Sequence, residues 1–177
     1  SGRVWFGTQG GVCSFDGKAF TPLTDAGGKR MTNTRALVID RAGNLWCGGE
    51  RGAFRFDGKA VTTFTAKDGL LDDFVGSMIV DRSGAVWLGH PGQGGGGSRS
   101  GATRFDGKAF APITRTEGLC GDTVYAMLED KDGNIWFGTL DAGGAADGRA
   151  GACRYDGKTF TDFSTPTARS PSTPPSR

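Results

Sequence analysis

The sequence predicts an all-β protein built from four copies of one antiparallel unit, and two regularities carry this prediction. An aromatic-Asp-Gly-Lys motif occurs four times, beginning at Phe15, Phe56, Phe105 and Tyr155. A tryptophan follows each of the first three motifs at a distance of 31 residues. The first two units repeat with a period of 41 residues, a length typical of a four-stranded propeller blade. We therefore predict a β-propeller of about four repeats, itself part of a larger or oligomeric propeller.

Each unit reads as four short strands, A to D, with the tryptophan on strand B. Between strands A and B, an Asp-x-x-Gly segment predicts a type I turn that ends on a left-handed glycine. Between strands C and D, the Asp-Gly pair predicts a type I′ hairpin turn, in which both central residues need positive φ. Strand A has consecutive apolar residues, such as Leu37, Val38 and Ile39, which predicts burial on both faces.

Unit one begins at strand B, so the sequence predicts 15 strands, one short of four complete blades. We assign residues 1–164 to the propeller, with units at 1–24, 33–65, 74–114 and 123–164, and 165–177 to a disordered tail rich in Pro and Ser. Three interpretations of the incomplete unit stay open. The chain is a fragment of a longer array, or two copies form an eight-bladed ring, or four blades close on themselves.

Composition excludes several classes of protein. The 21 basic and 19 acidic residues give a net charge of +2 without any dense Lys/Arg run, which argues against nucleic acid as a partner. No apolar run approaches the length of about 18 residues that a membrane-spanning helix needs. The N-terminal segment carries neither a methionine nor a signal peptide, so we expect a chain processed or excised from something longer.

The sequence predicts neither a disulfide nor a metal site, and no cofactor. The four cysteines show no CxxC pairing, so we expect free thiols; they are Cys13, Cys47, Cys120 and Cys153. Cysteine count leaves the compartment open. The segment 130–134 begins like a calcium loop, but Ile135 and Asp141 stand where that loop requires a glycine and a closing glutamate.

Variation along the chain concentrates on one face of the predicted propeller, formed by the B-to-C and D-to-A connections. From the tryptophan to the glycine that opens strand C, the distance is 6 residues in units one and two, 14 in unit three and 15 in unit four. Functional residues concentrate on such loops, which makes His90, Arg99 and Asp141 candidates, with Asp147 nearby. The alternative is that 93–98, which reads QGGGGS, is only a flexible insertion.

A second group of candidates lies at the start of strand A, near the propeller axis. Arg35, Gly76 and Tyr125 occupy equivalent positions, and Thr32, Asp73 and Asp122 precede them by three residues. An arginine, a tyrosine and carboxylates suit a hydroxyl-rich ligand such as a sugar. The alternative is that the aspartates only fix the loops. The full set of predicted ligand-binding residues is Arg35, Asp73, His90, Arg99, Asp122, Tyr125 and Asp141.

The repeat resembles that of the two-component regulator propellers. The motifs that carry the resemblance are GNIWFGT at 133–139, GAFRFDGK at 52–59, and the Gly-Leu elements at 68–70 and 117–119. The resemblance implies a seven-bladed propeller of the kind found in the periplasmic sensor region of bacterial hybrid two-component systems, many of which are thought to detect oligosaccharides. It therefore implies a non-enzymatic sensory module, periplasmic or extracellular, with a small polar ligand.

Two other functions are weighed against the sensory one. The streptogramin lyases also use short propeller repeats that contain tryptophan, together with a metal-assisted histidine base, but this chain has a single histidine, His90. A structural scaffold would instead use its open blade edges to bind copies of itself or the missing blades. The sequence favours the sensor and predicts no catalytic residue.

Overall fold

The computed structural model describes residues 2–92, 99–140 and 151–163, and within them the fold is all-β, as predicted. Its 15 strands form four antiparallel sheets, each with its strands in chain order, which we call blades one to four. Blade one comprises β1 (Val4–Thr8), β2 (Gly11–Phe15) and β3 (Phe20–Pro22). Blade two comprises β4 (Thr34–Ile39), β5 (Leu45–Gly49), β6 (Gly52–Phe56) and β7 (Val61–Phe64).

Blade three comprises β8 (Ser77–Val80), β9 (Val86–His90), β10 (Gly101–Phe105) and β11 (Phe110–Ile113). Blade four comprises β12 (Thr123–Glu129), β13 (Ile135–Leu140), β14 (Gly151–Tyr155) and β15 (Phe160–Asp162). Two single-turn 3-10 helices, Ala66–Asp68 and Arg115–Glu117, lead into blades three and four. None of the helices in the described ranges is long and apolar enough to cross a membrane.

The blades stand side by side in chain order, because the innermost strands β1, β4, β8 and β12 each neighbour the next. The core consists of three apolar clusters, one at each junction between successive blades. A strand B tryptophan lies in each cluster, and Trp46 and Trp87 are almost fully buried there. Trp46 and Trp87 therefore pack between blades.

One aspartate in each complete blade fixes both the A-to-B turn and the tryptophan. The indole Nε1–H groups of Trp46, Trp87 and Trp136 donate to Asp40, Asp81 and Asp130 over 2.9, 2.8 and 2.9 Å. The same carboxylates accept backbone N–H groups of the turn, whose glycine has positive φ, as at Gly43 with 84°. The predicted turn is thus confirmed, and hydrogen bonds within blade four already engage the oxygens of Asp130.

The C-to-D turns differ from the prediction of a type I′ turn. Phe56 pairs with Val61, so four residues form the loop, and within the described residues Asn33 is the only non-glycine residue with positive φ. The Asp57 carboxylate instead accepts the N–H groups of Lys59 and Ala60, each at 2.8 Å. The aspartate therefore acts as a side-chain cap, and only Gly58 takes the left-handed conformation.

The innermost strands are not buried on both faces, contrary to the sequence prediction. Leu37 and Val38 are half-buried, and Ile39 is 56% exposed. Leu37 packs in the cluster shared with blade one and Val38 in the cluster shared with blade three, but each neighbouring blade covers its side chain only partly. Uninterrupted apolar sequence here reflects contacts with blades on either side.

The expectation of four free thiols is wrong for two of them, because Cys120 and Cys153 form a disulfide. Cys120 lies in the connection between β11 and β12, which folds back over β14 and brings the two Cα atoms within 6.0 Å. The sequence separation of 33 positions hides the proximity of these two cysteines. Cys13 and Cys47 are free, and burial raises the pKa of Cys47 to about 12, so its thiol stays protonated.

Candidate functional site

The B-to-C and D-to-A connections form one face of the molecule, which we call the top face. The connection into blade three is rigid, because Thr65 caps the helix Ala66–Asp68 in a reciprocal capping box and Gly69 ends it in the left-handed conformation. Leu70 and Leu71 then turn into the core. The connection into blade four repeats this arrangement around Thr114 and Gly118.

The buried side chain of His90 holds the connection into blade three in place by hydrogen bonds. Its side chain is fully buried, with Nδ1 2.9 Å from the Phe74 carbonyl oxygen and Nε2 2.8 Å from Thr103 Oγ1. A carbonyl only accepts, so Nδ1 carries the proton and Nε2 accepts from the Thr103 hydroxyl. Thr103 Oγ1 in turn accepts the Leu71 N–H at 3.0 Å. We call His90, Thr103 and the Leu71 N–H the blade three latch.

Burial lowers the pKa of His90, and it outweighs the opposing effects of the Phe74 carbonyl and of Asp72 and Asp73. The imidazole is therefore neutral at physiological pH. Because both ring nitrogens are engaged and no part of the ring is exposed, His90 does not reach a ligand on the top face. It acts as a structural residue of the fold.

In blade four, different residues at the equivalent positions hold the D-to-A connection against strand C. Cys153 replaces Thr103, Cys120 replaces Leu71, and Thr139 replaces His90. The Cys120–Cys153 disulfide joins loop and strand covalently, the Cys120 N–H donates to Cys153 Sγ at 3.3 Å, and Thr139 Oγ1 lies 3.6 Å from Cys120 Sγ. We call this group the blade four latch.

The predicted carboxylates Asp73 and Asp122 are engaged within their own loops. Asp73 Oδ1 accepts the Ala66 N–H at 2.7 Å, and Asp122 Oδ1 pairs with Arg115 Nε at 2.6 Å. These contacts support the alternative that the two aspartates fix the loops. Arg99 is exposed, and its backbone N–H donates to Asp72 Oδ2 at 3.1 Å.

Arg35 and Tyr125, in contrast, project from the top face into solvent. Each lies at an irregularity in strand pairing near the start of β4 or β12, where a bulge redirects the side chain. The Arg35 side chain is 57% exposed and Tyr125 is 57% exposed. Gly76 holds the equivalent position in blade three, where Pro91 would lie 2.8 Å from any added Cβ and so excludes a side chain.

Glu50 joins this group although the sequence analysis did not select it. Its carboxylate lies 3.7 Å from the Arg35 guanidinium and accepts the Asn33 amide at 2.8 Å. The sequence did contain a signal that could have identified Glu50, because Glu50 and Arg51 are the only residues between β5 and β6.

The predicted residues Asp141 and Asp147 and the segment 93–98 lie outside the described residues. Within the described ranges, no group of three or more His, Cys, Asp or Glu side chains could hold a metal ion.

The sequence of blade four matches a known family. The model of the family described as "Two component regulator propeller" matches residues 118–141, which run from the Gly-Leu element through the Asp130–Trp136 turn to the end of β13. None of the curated proteins compared with the chain is significantly similar to it.

Several solved structures share the fold. One is the extracellular domain of BT3049 from B. thetaiotaomicron, described as a hybrid two component system, with 22% identity and a TM-score of 0.71 over 92% of this chain and 21% of that one. Another is the extracellular domain of BT4673 from the same organism, with 23% identity and a TM-score of 0.68 over 97% and 21%.

A third is PorZ, a surface component of the type-IX secretion system of Porphyromonas gingivalis, with 22% identity and a TM-score of 0.66 over 92% and 25%. The chain thus spans a quarter or less of each of these proteins. The chain has a β-propeller fold and contains, at residues 118–141, a repeat of the two component regulator propeller type.

Proposed function

We propose that the chain is part of a non-enzymatic sensory propeller that binds a polar ligand on its top face. The observation that carries the proposal is the exposure of Arg35 and Tyr125 at equivalent bulges of β4 and β12. Neighbouring polar side chains such as Asp73 and Asp122 are engaged in holding loops. Arg35 and Tyr125 are therefore the groups available for recognition.

The ligand class that fits this pair is hydroxyl-rich, such as an oligosaccharide. A guanidinium offers several N–H donors in one plane, and the Arg35–Glu50 pair adds acceptors beside it. The Tyr125 ring supplies an apolar face for a sugar ring, with a hydroxyl at its edge. The capped connection that precedes Tyr125 reduces the entropy lost on binding.

Binding is favoured over lyase-type catalysis because of the position of His90. A general base must reach the proton that it abstracts, and the only histidine of the chain is buried with both nitrogens engaged.

A periplasmic or extracellular location has two independent supports. The structural relatives BT3049 and BT4673 are extracellular domains. The Cys120–Cys153 disulfide is the second support, because disulfides persist mainly in oxidising compartments.

Calorimetric titration of the folded chain with a panel of neutral and acidic oligosaccharides tests the proposal. We expect binding by at least one of them, weakened about tenfold or more in Arg35→Ala and in Tyr125→Ala, the loss of about 1.4 kcal/mol that one good polar or stacking contact supplies. Lys59→Ala, on the opposite face, is the matched control and should bind as the wild type does. Silence across the panel, or equal weakening in the control, would contradict the proposal.

A further inference from the structure

Two equivalent cavities open on the bottom face, which is opposite the top face and is formed by the A-to-B and C-to-D turns. One lies at the junction between blades two and three and measures about 300 Å³. The other lies between blades three and four and measures about 380 Å³. Each contains the arginine that directly follows the aspartate bound to a tryptophan, Arg41 in the first cavity and Arg82 in the second. The two cavities are therefore built alike, and their charges can be compared.

In the cavity between blades three and four, the arginine holds a carboxylate of the protein itself. The Arg82 backbone N–H donates to Glu129 Oε2 at 2.8 Å, and its Nε–H donates to Glu129 Oε1 at 2.8 Å. The Nη2 group of Arg82 donates to the carbonyl oxygen of Asp130 at 2.7 Å. Both oxygens of Glu129, the last residue of β12, are thus bound by one residue, and the positive charge of Arg82 is neutralised.

The cavity between blades two and three lacks this carboxylate, because Val80 stands at the position of Glu129. Each of the two residues ends the innermost strand of its blade, where Val80 pairs with Val86 and Glu129 pairs with Ile135. The Val80 side chain packs against the apolar cluster of its junction. A valine side chain has no hydrogen-bond acceptor, so it does not replace the carboxylate.

Arg41 keeps the placement of Arg82 but has no partner. Its Cδ lies 3.3 Å from the position of a Cβ added at Gly84, and Arg82 lies in the same way across the equivalent Gly133. Among the described residues, none accepts a hydrogen bond from Arg41, and no carboxylate forms an ion pair with it. The two donors that hold Glu129 in the neighbouring cavity, a backbone N–H and an Nε–H, are therefore available at Arg41.

A second arginine, Arg55 of β6, adds positive charge to the same cavity. Its guanidinium carbon lies 5.8 and 5.7 Å from the ring centroids of Trp46 and Phe64, and its Nε is buried without a hydrogen-bond partner. Arg55 helps to lower the pKa of Asp57 but forms no ion pair with it. Asp40, the one acidic residue among the described residues lining the cavity, already accepts hydrogen bonds with both oxygens. The cavity thus carries an excess of positive charge.

We propose that the cavity between blades two and three binds the carboxylate of a small-molecule ligand, in the way that the neighbouring cavity binds Glu129. The backbone N–H and the Nε–H of Arg41 donate to the two carboxylate oxygens, and Arg55 contributes further positive charge. Charge-assisted hydrogen bonds of this kind are about twice as strong as neutral ones. The site is on the bottom face, away from Arg35 and Tyr125, so it does not depend on the proposed function.

Titration with propionate, which reproduces the end of a glutamate side chain, tests the site. NMR of the isotope-labelled chain follows the backbone N–H and arginine Nε–H signals while sodium chloride is replaced by sodium propionate at constant ionic strength. We expect saturable shifts of both Arg41 signals. Propionamide, the uncharged counterpart, should cause none. Equal shifts with sodium sulfate at the same ionic strength would overturn the assignment to a carboxylate.

Exchanging the residues that distinguish the two cavities gives a sharper test. Val80→Glu supplies an internal carboxylate to Arg41 and should weaken propionate binding about tenfold or more, as should Arg41→Gln. Glu129→Val removes the internal carboxylate of the other cavity and should make the Arg82 signals respond to propionate, a gain that destabilisation alone does not produce. Lys131→Gln is the matched control, because this residue is equivalent to Arg41 and 88% exposed, and it should bind propionate as the wild type does.

The dispersion of the amide signals verifies the fold of each variant. Three results would each overturn the proposal. The first is a wild type without saturable shifts at Arg41, the second is unchanged propionate binding in folded Arg41→Gln or Val80→Glu, and the third is a folded Glu129→Val in which Arg82 does not respond.

Discussion

Blades three and four fasten the same loop by different chemistry. In blade three, a neutral imidazole and a hydroxyl hold the Leu71 N–H without any covalent bond. In blade four, a disulfide joins the two equivalent positions. The comparison shows two different sets of residues that connect the D-to-A connection to strand C in the interior. The two ties should respond to different conditions, one to pH and the other to reductant.

The largest expected effect is that of reducing the blade four latch. Opening a disulfide that spans 33 residues should lower the free energy of unfolding by about 3–4 kcal/mol, mainly because the unfolded chain gains freedom. Urea unfolding with and without a phosphine reductant measures the change. The double variant Cys120→Ala/Cys153→Ala is the control and should not respond to reductant. Equal stability of the wild type in both conditions would contradict the expectation.

Replacing the histidine of the blade three latch should have the next largest effect. His90→Leu keeps an apolar side chain of similar size but leaves the Phe74 carbonyl and the Thr103 hydroxyl without their buried partner. We expect a loss of about 2–3 kcal/mol in urea unfolding. The variant should keep the full response to reductant, since the disulfide is untouched. A variant as stable as the wild type would mean that the latch contributes nothing.

Asp81 and Asp130, which accept the indole N–H groups of Trp87 and Trp136, allow a second comparison of blades three and four. Burial alone would raise the pKa of Asp81, but hydrogen bonds from Ser83, Trp87 and Ala85 lower it. Asp81→Ala should therefore cost about 2 kcal/mol at pH 7. Asp130→Ala should cost less, because Asn134 and Trp136, the hydrogen-bond partners of Asp130, are only half-buried, whereas Trp87 is almost fully buried. Equal losses in urea unfolding would count against this difference.

Mild acid should weaken blade three selectively. The pKa of His90 is lowered in the folded protein, so the unfolded chain binds the proton first and stability falls as pH drops below the unfolded value of 6.5. The loss between pH 6.5 and 5.5 has an upper limit of about 1.4 kcal/mol, which corresponds to one proton over one pH unit. His90→Leu should lack this slope. An identical slope in the variant would assign the acid response to other groups.

The smallest expected effect on stability belongs to the top face. Tyr125→Ala removes a side chain that is 57% exposed, and Gly76 shows that blade three folds without one at this position. We expect a change within about 0.5 kcal/mol in thermal or urea unfolding. A larger loss would give Tyr125 a structural role and weaken its assignment to ligand recognition.

The sequence predicted features that depend on neighbours along the chain. Strands β4 to β7 follow one another through short turns, so local signals such as Asp40-x-x-Gly43 and the repeated tryptophan were sufficient to define the blade. The type I′ turns were predicted wrongly for a local reason as well. The Asp57 carboxylate competes for the backbone N–H groups of the turn, and this hydrogen bonding selects the longer loop.

The candidate site was predicted in part. Arg35 and Tyr125 were found because the repeat aligns them, and the structure exposes both. His90 was selected as an isolated histidine in a loop, but packing of the connection around Phe74 places it in the interior. The sequence does not show which loop folds over which strand. Whether a histidine side chain is hydrated or hydrogen-bonded to a carbonyl oxygen depends on that packing.

By itself, then, the sequence determined the repeat, the strand order and the incomplete first blade, since these follow from periodic apolar residues and turn chemistry. Only the tertiary structure decided the Cys120–Cys153 disulfide and the blade three latch. Each of these depends on contacts between residues distant along the chain. The physical reason is that hydrogen bonding in turns is local, whereas burial is a property of the whole packed arrangement.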